Sequence, residues 1–321
     1  MQRSTTLESV PVSADRLQAA IDDARKSLNS LILGKDSEIA LALACLLARG
    51  HLLIEDLPGL GKTILAQALA RVLGLSYQRI QFTSDLLPAD IIGVSVFRQQ
   101  SGEFEFQPGP VFSQLVLADE VNRATPKAQS ALLEAMEEQQ VSADGRTHEL
   151  PDPYFVVATQ NPSDQIGTFP LPESQLDRFL MRIELGYPSE QDERELITGE
   201  DRRDMLRDVE ASLSPDMLLK LQAMINEVHL SDPLVDYIQA LVRYTRESPD
   251  IETGLSPRGS QALALAARAH AFIQHHRGVF PDDVQAVFAA VAGHRLKPAA
   301  NSSHRHTSEL CRHVLDNVEI P

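Results

Sequence analysis

HLLIEDLPGLGKTILAQALA, residues 51–70, is the stretch of sequence that decides the fold. It contains an apolar run at 51–54, then a loop with two glycines, then the alanine- and leucine-rich start of a helix. A strand, a glycine-rich loop and a helix N-terminus in this order suit phosphate, because backbone N–H groups beside the glycines can point at anionic oxygens. The sequence therefore predicts a phosphate-binding loop at the end of a buried strand.

Each position of this loop has an expected part in phosphate binding. Gly59 and Gly61 free the backbone, Lys62 can reach the β- and γ-phosphates, and the Thr63 hydroxyl can hold Mg²⁺. The full pattern has another glycine five places before Gly61, and this chain has Asp56 there. Taken alone, the segment leaves one alternative open, a glycine turn between a buried strand and a helix.

The composition narrows the class of protein. With 321 residues the chain can bury a large core, and we expect two domains of unequal size. The formal charge of -16 and the pI of about 5.0 oppose non-specific attraction to nucleic acid or to anionic lipid. The sequence has no apolar run long enough to span a bilayer, and its start lacks the apolar core of a signal peptide. We therefore expect a soluble, cytoplasmic protein without an integral membrane segment.

The two cysteines do not indicate a disulfide framework. Cys45 lies in an apolar helical stretch, where a thiol usually serves as a small buried side chain. Cys311 lies near His304, His306 and His313, in a segment that we predict to be a solvated C-terminal tail. The spacing of these residues matches no zinc pattern, so we expect no protein-ligated metal.

Strand-like and helical patterns alternate in the first part of the chain. This alternation predicts an α/β fold, in which helices cover both faces of a parallel sheet and the ligand lies at the carboxyl ends of the strands. Two β-hairpin insertions, at 94–106 and 141–150, are either surface decoration or contacts to a substrate or partner. The predicted strands are at 51–55, 78–82, 115–119 and 155–159.

The second part of the chain carries helical patterns, most of which begin near a proline, as expected for the first turn of a helix. We predict a polar N-terminal tail at 1–12, an α/β core at 13–188, and a small all-α domain with a C-terminal tail at 189–321. The predicted helices of the last part are at 190–199, 215–228, 233–247, 257–274 and 281–292.

Polar residues beyond the phosphate loop suggest chemistry at the γ-phosphate. Asp119 and Glu120 close one strand, where Asp119 can hold Mg²⁺ through water and Glu120 can accept a proton from the attacking water. Asn161 follows another strand and can hydrogen-bond that water or the phosphate. Arg178 can meet the charge that develops on the phosphoryl group. Arg258 lies in the first turn of a helix, where a cation is slightly disfavoured, and this favours a function for it.

These motifs, in this order, resemble the AAA+ ATPases and most closely the MoxR family. The resemblance covers roughly residues 13–300. It implies an AAA+ fold, with a P-loop parallel sheet covered by helices, two β-hairpin insertions and a small all-α lid domain. Asp56 in place of the first glycine is typical of the family. The motifs are IEDLPGLGKT from Ile54, GPVFSQLVLADEVNRA from Gly109, ATQNP from Ala158, LPESQLDRF from Leu171 and LSPRG from Leu255.

The resemblance also implies a part for each site residue, with ATP and Mg²⁺ as cofactors. Walker A falls on Lys62 and Thr63, Walker B on Asp119 and Glu120, sensor 1 on Asn161, the arginine finger on Arg178 and sensor 2 on Arg258. The remaining nucleotide-binding positions are Asp56, Pro58, Gly59, Leu60, Gly61 and Ile64 along the loop, with Ile32 and Gly34 near the adenine.

Partners and function follow from the same resemblance. It implies a homo-oligomer, usually a hexameric ring in which Arg178 acts in trans, and a protein partner with a von Willebrand factor A domain. The leading hypothesis is Mg²⁺-dependent ATP hydrolysis coupled to chaperone-like remodelling or maturation of a protein partner. The alternatives are the ATPase subunit of a metal chelatase, a nucleic-acid motor and a low-turnover ATP-dependent switch. Arg98 and Arg146 are nearly alone as basic residues in the hairpins, which argues against binding nucleic acid.

Overall fold

Five parallel strands form the central sheet of the computed structural model, which describes residues 14–100, 102–161, 168–304 and 306–320. The described strands are β1 Leu52–Glu55, β2 Tyr77–Gln81, β3 Gly93–Arg98, β4 Glu103–Pro108, β5 Leu115–Asp119, β6 Gln140–Ala143, β7 Arg146–Glu149, β8 Phe155–Gln160, β9 Met181–Ile183, β10 Ile251–Thr253 and β11 Lys297–Pro298. The order in the central sheet is β2-β5-β8-β1-β9, and each neighbouring pair is parallel. This confirms the predicted parallel sheet and adds β9, whose three residues are too few for a periodic signal.

Helices cover both faces of this sheet because its inner strands are apolar on both sides. Leu52 and Ile54 of β1 enter one hydrophobic core, and Leu53 between them enters a second core on the opposite face. The described helices are α1 Ala14–Leu31, α2 Asp36–Leu47, α3 Lys62–Val72, α4 Pro88–Ile92, α5 Pro126–Glu138, α6 Glu173–Leu176, α7 Glu190–Thr198, α8 Arg202–Asp208, α9 Pro215–Glu227, α10 Asp232–Glu247, α11 Pro257–Ile273, α12 Pro281–Ala292 and α13 Thr307–Asn317. Helices α1, α2 and α3 contribute to the first core, and α4 and α5 to the second.

The strand register brings the functional ends of the strands together. Glu55 at the end of β1 pairs with Gln160 of β8, and Gln81 at the end of β2 pairs with Asp119 of β5. The loop that begins at Asp56 therefore leaves the same edge of the sheet that carries Asp119.

Both predicted hairpins are present and contact each other. Strands β3 and β4 pair antiparallel, as do β6 and β7. The ring of Phe106 on the first hairpin stacks on His148 of the second, with centroids 4.0 Å apart. On the first hairpin Phe97 and Phe104 are exposed.

The second part of the chain is mainly helical, from α7 to α13. It also contains a short antiparallel pair, β10 with β11, whose two or three residues per strand give no signal in the sequence. Among the described helices, none has the length and apolar character needed to cross a membrane. The predicted tail at 1–12 and Pro162 of the ATQNP motif lie outside the described residues.

The prediction of a solvated tail around Cys311 is wrong. Residues 307–317 form α13, and Leu310, Cys311 and Val314 are buried on one face of it. Only three of the eleven residues of α13 are buried, so the polar neighbours dominate the sequence pattern. Burial raises the pKa of the Cys311 thiol to about 12, consistent with a buried side chain that stays protonated.

The fold also brings His304 and His313 close to Asp250, with ligand atoms within 4.8 Å of one another. Nδ1 of His313 lies 3.2 Å from the amide nitrogen of Asn317, and its Nε2 lies 3.1 Å from the Tyr244 hydroxyl. Hydrogen bonds therefore account for the position of the ring, and the expected lack of a protein-ligated metal stays a prediction.

Candidate functional site

The loop between β1 and α3 has the backbone shape of a phosphate cradle. Gly59 and Gly61 have φ of +90° and +88°, in the left-handed region that glycine adopts at little cost. A Cβ added to either glycine meets no described atom within 4 Å, so the space beside the loop is open. Helix α3 begins at Lys62, directly after Gly61, and its first N–H groups face this space as an anion site would require.

Asp56 is a structural anchor for this loop. One carboxylate oxygen accepts hydrogen bonds from the backbone N–H of Leu185 at 2.8 Å and of Gly186 at 2.6 Å. The other oxygen accepts from the N–H of Leu57 at 2.7 Å. The residue that departs from the glycine pattern thus ties the start of the loop to the segment that leads from β9 to α7. A glycine could not make these contacts.

Lys62 lies within the cradle and is largely buried. Its Nζ donates to the backbone carbonyl of Asp56 and, at 3.2 Å, to Oδ1 of Asn161. Burial lowers the pKa of Lys62, and the nearby carboxylates of Asp56, Asp119 and Glu120 partly offset this. The ammonium group is therefore held by polar atoms at the position where the loop leaves the sheet.

Asp119 is buried at the end of β5 and is held by two neighbouring strands. Its Oδ1 accepts a hydrogen bond from the hydroxyl of Thr159 on β8 at 2.6 Å. Its Oδ2 accepts from Nε and Nη2 of Arg79 on β2, at 3.0 and 2.6 Å. A carboxylate fixed from both sides offers oxygen donors of the kind that Mg²⁺ prefers.

Glu120 follows in a left-handed conformation, with φ of 57° and ψ of 47°. This backbone conformation is uncommon outside glycine and is found most often at functional sites and turns. Three groups hold its carboxylate: Gln81 donates to Oε2 at 3.1 Å, Asn161 donates to Oε1 at 3.3 Å, and Nε of Arg123 lies 3.1 Å from Oε2. The backbone N–H of Glu120 donates to Thr159 at 2.9 Å.

Asn161 connects the acid to the lysine. Its amide nitrogen donates to Glu120 while its Oδ1 accepts from Lys62, and the residue is 2% exposed. The side chain of Asn122 donates to its backbone carbonyl at 3.0 Å. The structure thus brings Lys62, Asn161 and Glu120 into one hydrogen-bonded chain, next to Asp119.

Arg178 and Arg258 do not join this cluster. They lie beside Gly50 and His51, at the amino end of β1, whereas the phosphate loop leaves the carboxyl end of the same strand. Both arginines form ion pairs with Glu137 in the last turn of α5. Within one chain, the sheet therefore separates the two arginines from Lys62.

Ile32 and Gly34 belong to the turn between α1 and α2. Gly34 has φ of +65°, and an added Cβ would overlap the carboxylate of Asp192 on α7. Nζ of Lys35 donates to the backbone carbonyl of Tyr187 at 2.9 Å. The turn therefore packs against α7, near the segment that Asp56 anchors.

The sequence analysis makes no prediction for Arg79, Gln81 or Thr159, each of which contacts Asp119 or Glu120. A signal for two of them exists, because Arg79 and Gln81 alternate along β2 and must share one face of the strand. Thr159 gave no signal, since it ends an apolar run and reads as part of the strand.

The fold and this cluster define a P-loop nucleotide-binding domain of the AAA class, with its lid. Residues 51–181 match the model of the ATPase family associated with various cellular activities (AAA). Residues 243–314 match the model of the AAA lid domain.

Similar proteins give the family. The chain is 41% identical to chaperone MoxR1 of Mycobacterium tuberculosis over 90% of this chain and 79% of that protein. It is 43% identical to protein YeaC of Bacillus subtilis over 95% of this chain and 96% of that one. The crystal structure of a candidate ATPase from Cytophaga hutchinsonii matches with a TM-score of 0.85 and 36% identity, over 95% of this chain and 96% of that chain. The chain belongs to the MoxR family of AAA+ ATPases.

Proposed function

We propose that this protein is a Mg²⁺-dependent ATPase. The observation that carries the proposal is the hydrogen-bonded chain from Lys62 through Asn161 to Glu120, at the start of α3. Lys62 and the N–H groups of the loop bind the phosphates, which suits a cationic side chain at a helix N-terminus. Thr63 and Asp119 hold the Mg²⁺, which neutralises charge on the phosphate oxygens when bound.

Glu120 serves as the base in this proposal. Gln81, Arg123 and Asn161 hold its carboxylate in place, so little reorientation is needed before it accepts a proton from water. Asn161 has both a donor and an acceptor at the site and can orient that water without adding charge. Asp119 and Glu120 thus divide the work, one oriented towards the cation and the other towards the water.

We further propose that turnover requires assembly. Arg178 and Arg258 lie across the sheet from Lys62, so a bound γ-phosphate is out of their reach within one chain. In a ring, the same arginines meet the phosphate of a neighbouring copy and stabilise the charge that develops during transfer. A hexamer is the ring size that the family resemblance favours.

We propose that ATP hydrolysis drives a change in the structure of another protein. One relative is named a chaperone, and the two hairpins present exposed Phe97 and Phe104 on the surface of the core domain. We propose that the protein acts on a client or partner protein, and we expect that partner to carry a von Willebrand factor A domain. We also propose that the adenine of ATP binds near Ile32 and Gly34.

The test is ATP hydrolysis by the purified protein, with and without Mg²⁺. Replacing Glu120 by Gln is expected to keep ATP bound and to reduce turnover by about 10²- to 10⁴-fold. Replacing Arg178 by Ala is expected to spare ATP binding and to remove the turnover that depends on protein concentration. Full activity of the Glu120→Gln protein would contradict the assigned base. A rate that DNA raises several-fold, and that salt abolishes, would favour a nucleic-acid motor instead.

A further inference from the structure

One carboxylate holds both arginines of the proposed trans site. Oε2 of Glu137 lies 2.8 Å from Nη2 of Arg178, and Oε1 of the same residue lies 3.3 Å from Nη1 of Arg258. Arg178 comes from the core domain, after α6, and Arg258 comes from the first turn of α11 in the lid. The two oxygens of Glu137 thus bring together cations from two parts of the chain.

Glu137 and Arg258 each lie at the end of a helix where their charge is unfavourable. Glu137 lies in the last turn of α5, where the helix dipole disfavours a carboxylate, and Arg258 lies in the first turn of α11, where it disfavours a cation. Each residue therefore occupies the less favourable end of its own helix, and each is compensated by the other. In addition, two guanidinium groups at one place repel each other unless an anion lies between them.

The backbone on either side of Arg178 is held separately. Nε of Arg295, in the lid, donates to the carboxylate of Asp177 at 2.6 Å, and its Nη2 donates to the carbonyl of Phe179 at 2.8 Å. The side chain of Arg295 is 5% exposed. The backbone of Arg178 is therefore fixed from the lid, and the direction of its side chain is left to Glu137.

We propose that Glu137 is a positioning residue that presents Arg178 and Arg258, as a pair, to the nucleotide of a neighbouring copy. The proposal rests on the proposed function. The side chains of Glu137 and Arg178 are 37% and 27% exposed, and that of Arg258 is 52% exposed, so a neighbour can reach the pair. The carboxylate keeps the two guanidinium groups at a fixed separation before assembly, which reduces the ordering needed when the neighbour docks.

The experiment mixes two kinds of subunit. Acceptor subunits carry Arg178→Ala and keep an intact P-loop site, and donor subunits carry Glu120→Gln and keep both arginines. Neither hydrolyses ATP at the normal rate alone, and mixing them is expected to restore turnover at acceptor sites next to a donor. Glu137→Gln is then introduced into the donor or into the acceptor, with Glu138→Gln, the exposed next residue of α5, as the matched control.

Glu137→Gln in the donor is expected to lower the restored rate by about tenfold, with an unchanged KM for ATP, because misplaced arginines reduce transition-state stabilisation without affecting ground-state binding. The same substitution in the acceptor, whose Arg178 is already gone, is expected to cost much less. Glu137→Asp in the donor keeps the charge and should recover part of the loss. Glu138→Gln should restore as well as the parent donor.

The outcomes separate the two levels of the hypothesis. If the donor with Glu137→Gln restores turnover as well as its parent, or if the loss is equal in donor and acceptor, the positioning role of Glu137 is wrong while the ATPase assignment stands. If the wild-type protein does not hydrolyse ATP, the proposed function fails and the role of Glu137 fails with it. If Arg178→Ala leaves turnover intact, the proposed action of Arg178 in trans is wrong, and the role of Glu137 is wrong with it, while the ATPase assignment stands.

Discussion

Replacing Asp56 by Gly restores the missing glycine of the phosphate-loop pattern, yet we expect it to damage the protein. The carboxylate of Asp56 accepts backbone N–H groups from Leu57, Leu185 and Gly186. A glycine leaves all three without this partner and adds conformational freedom to the unfolded chain. The substitution therefore tests whether the loop depends on the glycine of the general pattern or on the hydrogen bonds that Asp56 makes in this chain.

The expected loss of stability in Asp56→Gly depends on how deeply the three N–H donors are buried. Leu57 is exposed, so water replaces its lost hydrogen bond at little cost. Leu185 is 2% exposed, and it and Gly186 lie in the segment that connects the core to the lid. A buried N–H left without an acceptor costs about 1–3 kcal/mol, and the added glycine costs roughly 0.5–1 kcal/mol. We therefore expect a loss of about 2–4 kcal/mol in the free energy of unfolding.

Urea unfolding of the wild-type, Asp56→Gly and Asp56→Asn proteins measures this loss. Asn keeps one oxygen acceptor but directs an NH₂ group at another donor, so its stability should lie between the other two. ATP binding should weaken in the same order, because the anchored segment adjoins the loop. A loss below about 0.5 kcal/mol for Asp56→Gly, the range of an ordinary surface substitution, would refute the anchoring role.

Three further outcomes are expected. Lys62→Ala should abolish measurable ATP binding, and an isotherm equal to that of the wild type would remove the phosphate-cradle assignment. Thr159→Val nearly keeps the shape of the side chain but removes the hydroxyl that donates to Asp119 and accepts from the N–H of Glu120. We therefore expect the free energy of unfolding, measured with urea, to fall by about 2–4 kcal/mol. We also expect slower turnover, measured by phosphate release. Burial lowers the pKa of His51 from 6.5 to about 4, so the unfolded chain binds the proton first as the pH falls. Stability that is present above pH 6.5 is therefore lost between about pH 6.5 and 4, by at most about 3 kcal/mol, and a His51→Gln protein should show a flatter dependence of unfolding free energy on pH in that window.

The parts of the fold that could be predicted are those with a local signal. Strands β5 and β8 are apolar runs of five or six residues that end at Asp119 and Gln160, and the loop at Asp56 to Thr63 has its own residue pattern. Strand β9 could not be predicted, because three residues carry no period. Helix α13 was hidden by the polar residues that surround its three buried side chains.

The contacts within the site were less accessible to sequence analysis. Arg79 binds Asp119 because β2 and β5 are neighbours in register, and this pairing is a property of the sheet. The ion pairs of Glu137 likewise could not be predicted from the sequence of α5, because Arg178 and Arg258 come from distant parts of the chain. Motif order predicts the residues that bind or react, whereas the residues that hold them are separated along the chain and come together only by folding.

The part of the chain after β9 contacts both ends of the strands of the sheet through separate polar contacts. At the carboxyl ends of the strands, Asp56 binds Leu185 and Gly186, and the turn at Gly34 packs against Asp192 of α7, so the phosphate loop adjoins the segment between β9 and α7. At the opposite ends, Arg295 of the lid holds the backbone beside Arg178. A shift of this part of the chain would strain partly buried hydrogen bonds at both ends of the strands, and such bonds are costly to leave unmade. We therefore expect the helical region after β9 to couple the occupancy of the phosphate loop to the placement of the two arginines that we propose to act on the next copy.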